Sequence, residues 1–144
     1  MKRDEALAPL SRDHHGTLLL AQLLKKNAPA YRGLPTAPEA KAKYAQEQFE
    51  LHIKKHFLQE ERMLEKTKDC HSEINLLTVE IKKEHQQLTA LFTSLDDTAN
   101  LENTMDILAN LLQQHIRKEE RVLFPLLQKN ASPELLQEIH VLLH

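Results

Sequence analysis

Apolar residues recur along this chain at spacings of three and four, the period at which one face of a helix returns to the same side. Leu7, Leu10, Leu18 and Ala21 form one such stripe, with Arg12, Gln22 and Lys25 opposite, and predict a first helix over about 10–26. The stretch from Asn27 to Pro38 carries Pro29, Gly33, Pro35 and Pro38 and is expected to be a loop. A long second helix is expected over about 39–66, with Tyr44, Phe49, His52, Ile53, His56, Phe57, Glu60, Met63 and Leu64 on or near one face. The polar break Lys68-Asp69-Cys70 closes it. A third helix over about 72–95 keeps Leu77, Ile81, His85, Leu88 and Phe92 in register, and Asp96-Asp97-Thr98 predicts a turn. A fourth over about 101–129 turns Ile107, Leu108, Leu111, Leu112, His115, Val122 and Leu123 inward, with Pro125 expected to bend it or end its regular part. Ser132-Pro133-Glu134 reads as an N-cap followed by proline at the first helical position, which predicts a short last helix over about 133–143.

Amphipathic helices joined mostly by short turns predict an all-α fold: an antiparallel four-helix bundle with a short extra C-terminal helix, one domain over 1–144. Composition agrees, since glycine is nearly absent and Leu, Lys, Glu, Gln and Ala dominate. A single cysteine, Cys70, excludes a disulfide framework and any multi-cysteine metal site, and suits a reducing cytosol. The N-terminus lacks the charged-then-apolar pattern of an export signal, and the apolar run Leu18 to Ala21 is far too short to span a membrane, so a cytoplasmic protein is expected. Basic residues are scattered among glutamates, with a net charge of −2, which makes nucleic acid and anionic membrane poor partners.

The chemistry lies in a repeat. His56-Phe57-Leu58-Gln59-Glu60-Glu61-Arg62-Met63-Leu64 recurs as His115-Ile116-Arg117-Lys118-Glu119-Glu120-Arg121-Val122-Leu123, so His-x-x-x-Glu-Glu-Arg-x-Leu occurs twice. Residues four apart stack on one helix face, and each copy aims an imidazole and a carboxylate at a common point. His14 and His85 lie on the apolar stripes of the other two helices. Taken singly, a histidine on an apolar face is an ordinary hydrogen-bonded core or boundary residue, and glutamates in such charged surroundings can simply be solvated. Taken together, four imidazoles and two carboxylates buried in a small bundle would be costly without a cation to partner them. A divalent or trivalent metal supplies that partner. Ferritin-like Glu-x-x-His, the metalloprotease His-Glu-x-x-His and a glycine-rich phosphate loop are all absent.

The set Leu10-Ser11-Arg12-Asp13-His14, His56-x-x-x-Glu60-Glu61, Glu84-His85-x-x-Leu88 and His115 through Pro125 resembles the hemerythrin-like, HHE cation-binding domain over nearly the whole chain. The resemblance implies a non-haem di-iron centre: two iron ions, oxo- or hydroxo-bridged, with His14, His56, His85 and His115 capping them and Glu60 and Glu119 bridging. His15 competes with His14; the flanking Leu10 and Leu18 favour His14, as does the parallel between Asp13-His14 and Glu84-His85. The oxygen-carrying members have His-x-x-x-His on the third helix, whereas Ile81 and Thr89 flank His85 here. His52, one turn before His56, is a candidate to fill the missing place, the alternative being a boundary histidine above the site. His71, at a turn, is read as a cap or a solvated residue.

Open coordination positions imply a small diatomic partner, dioxygen or nitric oxide, and a protein that binds it or senses it or the redox state. Two alternatives stand beside this: a di-iron enzyme acting on dioxygen or peroxide or handling iron, and an interaction or regulatory module stabilised by metal. No proton donor or substrate pocket is legible, so an enzyme is the less favoured reading, and a protein partner is not identified.

Overall fold

The computed structural model describes residues 2–96 and 99–144 and is all-helical, with no strand among them. Helix α1 runs Ala8–Leu24 and ends where Lys25 turns extended and Asn27 takes a φ of 60°, a left-handed conformation asparagine tolerates better than most residues. After the expected loop, Pro38 opens α2 (Pro38–Gln48), its fixed φ and missing N–H suiting the first turn. The rod continues through a wide π-helical turn, Phe49–Ile53, into α3 (Lys54–Lys66).

Helix α4 covers Ser72–Ser94, capped by His71, whose Nδ1 accepts from the Glu73 N–H at 3.1 Å, the first of the two roles expected of it. Of the expected turn after it, Asp97 and Thr98 lie outside the described residues. Asn100 caps α5 (Leu101–Lys118), which passes through a second π turn, Glu119–Leu123, into α6 (Phe124–Asn130). Pro125 lies in the first turn of α6, so the regular part of α5 ends ahead of it. The irregular turn precedes it, where the Phe124 N–H reaches back to the Glu119 carbonyl. Ser132 accepts from the Leu135 N–H at 3.1 Å and starts α7 (Pro133–Leu143), as the Ser-Pro signal predicts.

Four rods result: α1, α2–α3, α4 and α5–α6. Each packs on the next around a ring, α1 against α3, α3 against α4, α4 against α5 and α5 against α1, while α7 lies on α3. The apolar interior is split in two. One cluster gathers Leu20, Leu24, Phe49, Phe57, Leu88, Phe92, Leu108 and Leu112; the other gathers Leu7, Leu10, Met63, Ile74, Ile81, Leu123, Phe124 and Ile139. Along every rod a polar layer separates them, formed by the buried His14, His56, Glu60, His85, His115 and Glu119.

Three expectations of facing fail. Ile107 and Val122 are each 46% exposed, and His52 is exposed rather than on the inner face. For Val122 and His52 the cause is local: each sits inside a π turn, whose extra residue breaks the 3.6-residue register on which the facing was counted. No helix among the described residues is long and apolar enough to cross a membrane.

Candidate metal centre

The six candidate residues come together in that polar layer. His14, His56, Glu60 and Glu119 form one group able to hold a metal ion, and His85, His115, Glu60 and Glu119 form a second; within each, the donor atoms lie within 4.8 Å of one another. His14 is 3% exposed while the adjacent His15 faces solvent, which separates the two as the flanking leucines predict. His52 is in neither group.

The two oxygens of Glu60 divide between the groups. Oε2 lies 2.8 Å from His56 Nε2 and 3.5 Å from His14 Nε2, whereas Oε1 lies 2.9 Å from His85 Nε2 and 3.8 Å from His115 Nε2. Glu119 Oε1 stands between the pairs, 2.9 Å from His14 Nε2 and 3.4 Å from His115 Nε2. Those distances do not amount to hydrogen bonds. Both Glu119 oxygens and His115 Nε2 are buried with no hydrogen-bond partner. His14 Nε2 and His56 Nε2 also face each other at 3.2 Å, a contact in which at most one can donate.

Each imidazole is oriented from behind by a carboxylate on another rod. His14 Nδ1 meets Glu120 Oε2 at 2.8 Å, His56 Nδ1 meets Asp13 Oδ2 at 3.0 Å, His85 Nδ1 meets Glu61 Oε2 at 2.8 Å and His115 Nδ1 meets Glu84 Oε1 at 2.7 Å. An ionised carboxylate can only accept, so Nδ1 donates and Nε2 is the nitrogen turned inward, the orientation such pairs give to metal-binding histidines; its lone pair becomes available once any proton it carries is released. The pattern has an approximate twofold: the acid before each stripe histidine of α1 and α4 serves the repeat histidine, and the second glutamate of each repeat serves the stripe histidine. The Asp13-His14 and Glu84-His85 pairs were visible in the sequence only as an alignment cue. Glu61 and Glu120 passed as candidates for solvation, although the doubled Glu-Glu was the available signal. Arg3 left no signal; it donates to the Glu120 carbonyl at 2.8 Å and to Glu120 Oε1 at 3.2 Å.

Phe57 stacks on the His85 ring, centroids 4.0 Å apart and 14° from parallel, and Phe124 lies nearly parallel to His14 at 5.7 Å. These rings wall the layer with apolar surface, and desolvation then governs its proton chemistry. Burial alone would lower His14, but the carboxylates of Glu119, Glu120 and Glu60 outweigh it and push the ring up to about 11 in the metal-free chain. Burial lowers His115. Burial alone would raise Glu60, yet the charge of His56 and the surrounding hydrogen bonds hold it well below the usual carboxylate range. Glu119 is held well above that range by burial and by the Glu60 charge beside it.

Inward ring nitrogens, one ionised carboxylate and three orphaned buried polar atoms are a donor set that a cation completes. The fold and site together define a helical-bundle metal-binding protein. Residues 5–143 match the model of the Hemerythrin HHE cation binding domain, and the chain belongs to that family. Comparison with curated proteins and with solved structures finds no match.

Proposed function

We propose that this chain, acting as a single domain in a reducing cytosol, holds two iron ions and binds or senses a small diatomic ligand, dioxygen or nitric oxide, through an open coordination position. The observation that carries the reading is the division of Glu60: its two oxygens address two different histidine pairs, as a bridging carboxylate does. His14 and His56 would cap one ion and His85 and His115 the other, with Glu60 and Glu119 shared. Imidazole with carboxylate suits iron. When bound, the pair would supply redox chemistry and an exchangeable position for the small ligand.

The remaining work falls to the protein. Asp13, Glu61, Glu84 and Glu120 fix the rings and keep each Nδ1 proton in place, which raises the basicity of the facing nitrogen. Phe57 and Phe124 exclude water from the layer. Four ring nitrogens and four carboxylate oxygens would leave positions open on two irons, and among the described residues none fills the place of a fifth histidine. Ile81 is fully buried in the apolar cluster, the Thr89 hydroxyl donates to the His85 carbonyl at 2.7 Å, and His52 points elsewhere.

Elemental analysis of protein made in iron-replete cells, purified without a metal-affinity column or chelator, tests this directly. About two irons per chain is expected from the two donor groups. A well-folded protein with substoichiometric zinc, or with no metal, would overturn it.

A further inference from the structure

The second π turn takes the helical partner from one backbone group. In a regular helix the Glu120 carbonyl would receive the N–H of Phe124, and in a π turn that of residue 125. The Phe124 N–H is given to Glu119, and residue 125 is a proline, which has none. A carbonyl so placed needs another donor. Arg3 supplies it: Nη2 lies 2.8 Å from the Glu120 carbonyl oxygen and 3.2 Å from Glu120 Oε1, so one guanidinium holds the backbone and the side chain of the same residue. That side chain is the one that meets His14 Nδ1 at 2.8 Å. The guanidinium carbon also lies 5.1 Å from the centre of the Phe124 ring, which in turn lies parallel to His14. Among the described residues the buried Arg3 Nε has no hydrogen-bond partner, so the head group is kept in place by its terminal nitrogens.

Arg3 stands outside the rods. Residues 2–7 precede α1 and are fastened to α6 at Gln128, whose Oε1 accepts from Arg3 Nη1 at 3.1 Å and from the Asp4 N–H at 3.0 Å, and whose Nε2 donates to the Lys2 carbonyl at 3.0 Å. Ala6 and Leu7 are buried in the apolar cluster that holds Leu10 and Phe124. The matching acid of the first repeat, Glu61, lacks such support: among the described residues only His85 pairs with it. Glu84 does share its charge with a cation, Lys118, but that lysine belongs to α5 and moves only with the rod.

We propose that Arg3 is a positioning residue of the centre, and that residues 2–7 form a latch which, through Arg3 and Glu120, sets how His14 serves its ion and answers to the redox state. The inference rests on the reading of the polar layer as a metal centre. An arginine on Glu120 draws off part of the negative charge that would otherwise polarise the His14 ring, so the docked latch keeps that ring a weaker donor and disfavours the more highly charged metal state. Docking and redox state are then linked in both directions: reduction favours the docked latch, and oxidation favours its release.

The test is a redox titration of the iron-loaded protein, followed by visible absorption, with hydrogen exchange of the segment's amides measured alongside. Arg3→Met keeps an apolar contact with Phe124 and removes the charge. It is expected to raise the preference for the oxidised over the reduced ion by about tenfold, seen as a fall in midpoint potential. Arg3→Lys keeps the charge without the fork and should fall between. Lys2→Ala, on the same segment but meeting Gln128 only through its backbone, should leave that preference within about twofold. In the wild type the hydrogen-bonded amides of Asp4, Ala6 and Leu7 should exchange faster in the oxidised than in the reduced protein, by a factor of the same size. A potential unmoved by Arg3→Met, or moved as far by Lys2→Ala, or exchange indifferent to redox state, would overturn the latch while leaving the metal centre intact. Loss of iron from Arg3→Met, with Arg3→Lys at the wild-type potential, would reduce Arg3 to a structural contact and overturn it as well. A wild-type protein that takes up no iron would overturn the metal centre itself and this latch with it.

Discussion

At the scale of single residues, the carboxylates behind the histidines deserve as much weight as the six facing inward. Glu61 and Glu120 each hold an Nδ1 at 2.8 Å from a neighbouring rod, and removing such a partner typically lowers metal affinity about 10- to 100-fold. Glu61→Gln and Glu120→Gln preserve volume but replace the anion, and competition against a chelator of known affinity should show that loss. Wild-type affinity in both would mean the pairs are incidental. The adjacent histidines separate just as simply: His14→Ala should lose metal, while the solvent-facing His15→Ala should keep its full complement. The inward residues were legible because burial of imidazole and carboxylate is conspicuous in an apolar stripe. Their supporting acids were not, because a carboxylate at the edge of a bundle looks the same in sequence whether it meets water or a ring nitrogen across the interface.

At the scale of elements, helical periodicity located every rod, with ends displaced by two residues or so, and the Ser132 cap, the His71 turn and the proline-rich loop each fell where local chemistry put them. What periodicity could not foresee was the pair of π turns at Phe49–Ile53 and Glu119–Leu123. A single extra residue in a turn leaves no compositional mark, yet it changes the angle between residues counted across it. Val122 and His52 were assigned inward on that count and face out. The split core gives a prediction of its own. Phe92 is 1% exposed and stacks on Phe49 with centroids 4.7 Å apart, in the apolar cluster on one side of the polar layer. Phe92→Ala should therefore cost about 3–5 kcal/mol in urea unfolding, the usual loss for a buried phenylalanine, while metal stoichiometry stays unchanged. A parallel loss of metal would show that the cluster and the layer are not separable.

At the scale of the whole molecule, the polar layer makes stability a function of both metal and protons. Without metal, His14 is raised from 6.5 to about 11 and Glu119 is raised well above its ordinary range, so the folded chain binds protons that the unfolded chain gives up. For His14 the sign follows directly: its contribution is complete below the unfolded value near 6.5 and is lost as pH rises toward about 11. Glu119 acts in the same direction from lower pH, since a carboxyl raised on folding favours the native state only while it is protonated. Glu60 opposes them at acid pH, because a carboxylate held low stabilises above its unfolded pKa and that benefit disappears as pH falls. The metal-free protein should thus melt at progressively lower temperature from about pH 7 to pH 10. A metal must displace the His14 and Glu119 protons to use those atoms, so uptake in weakly buffered solution at pH 7.5 should release protons, measurable with an indicator dye. Once loaded, the native state is favoured by ligand binding, by about 2.7 kcal/mol at a free metal concentration a hundred times Kd, and its melting temperature should rise and lose most of the alkaline slope. Equal slopes with and without metal, or uptake without proton release, would show that the cation does not bind through these groups.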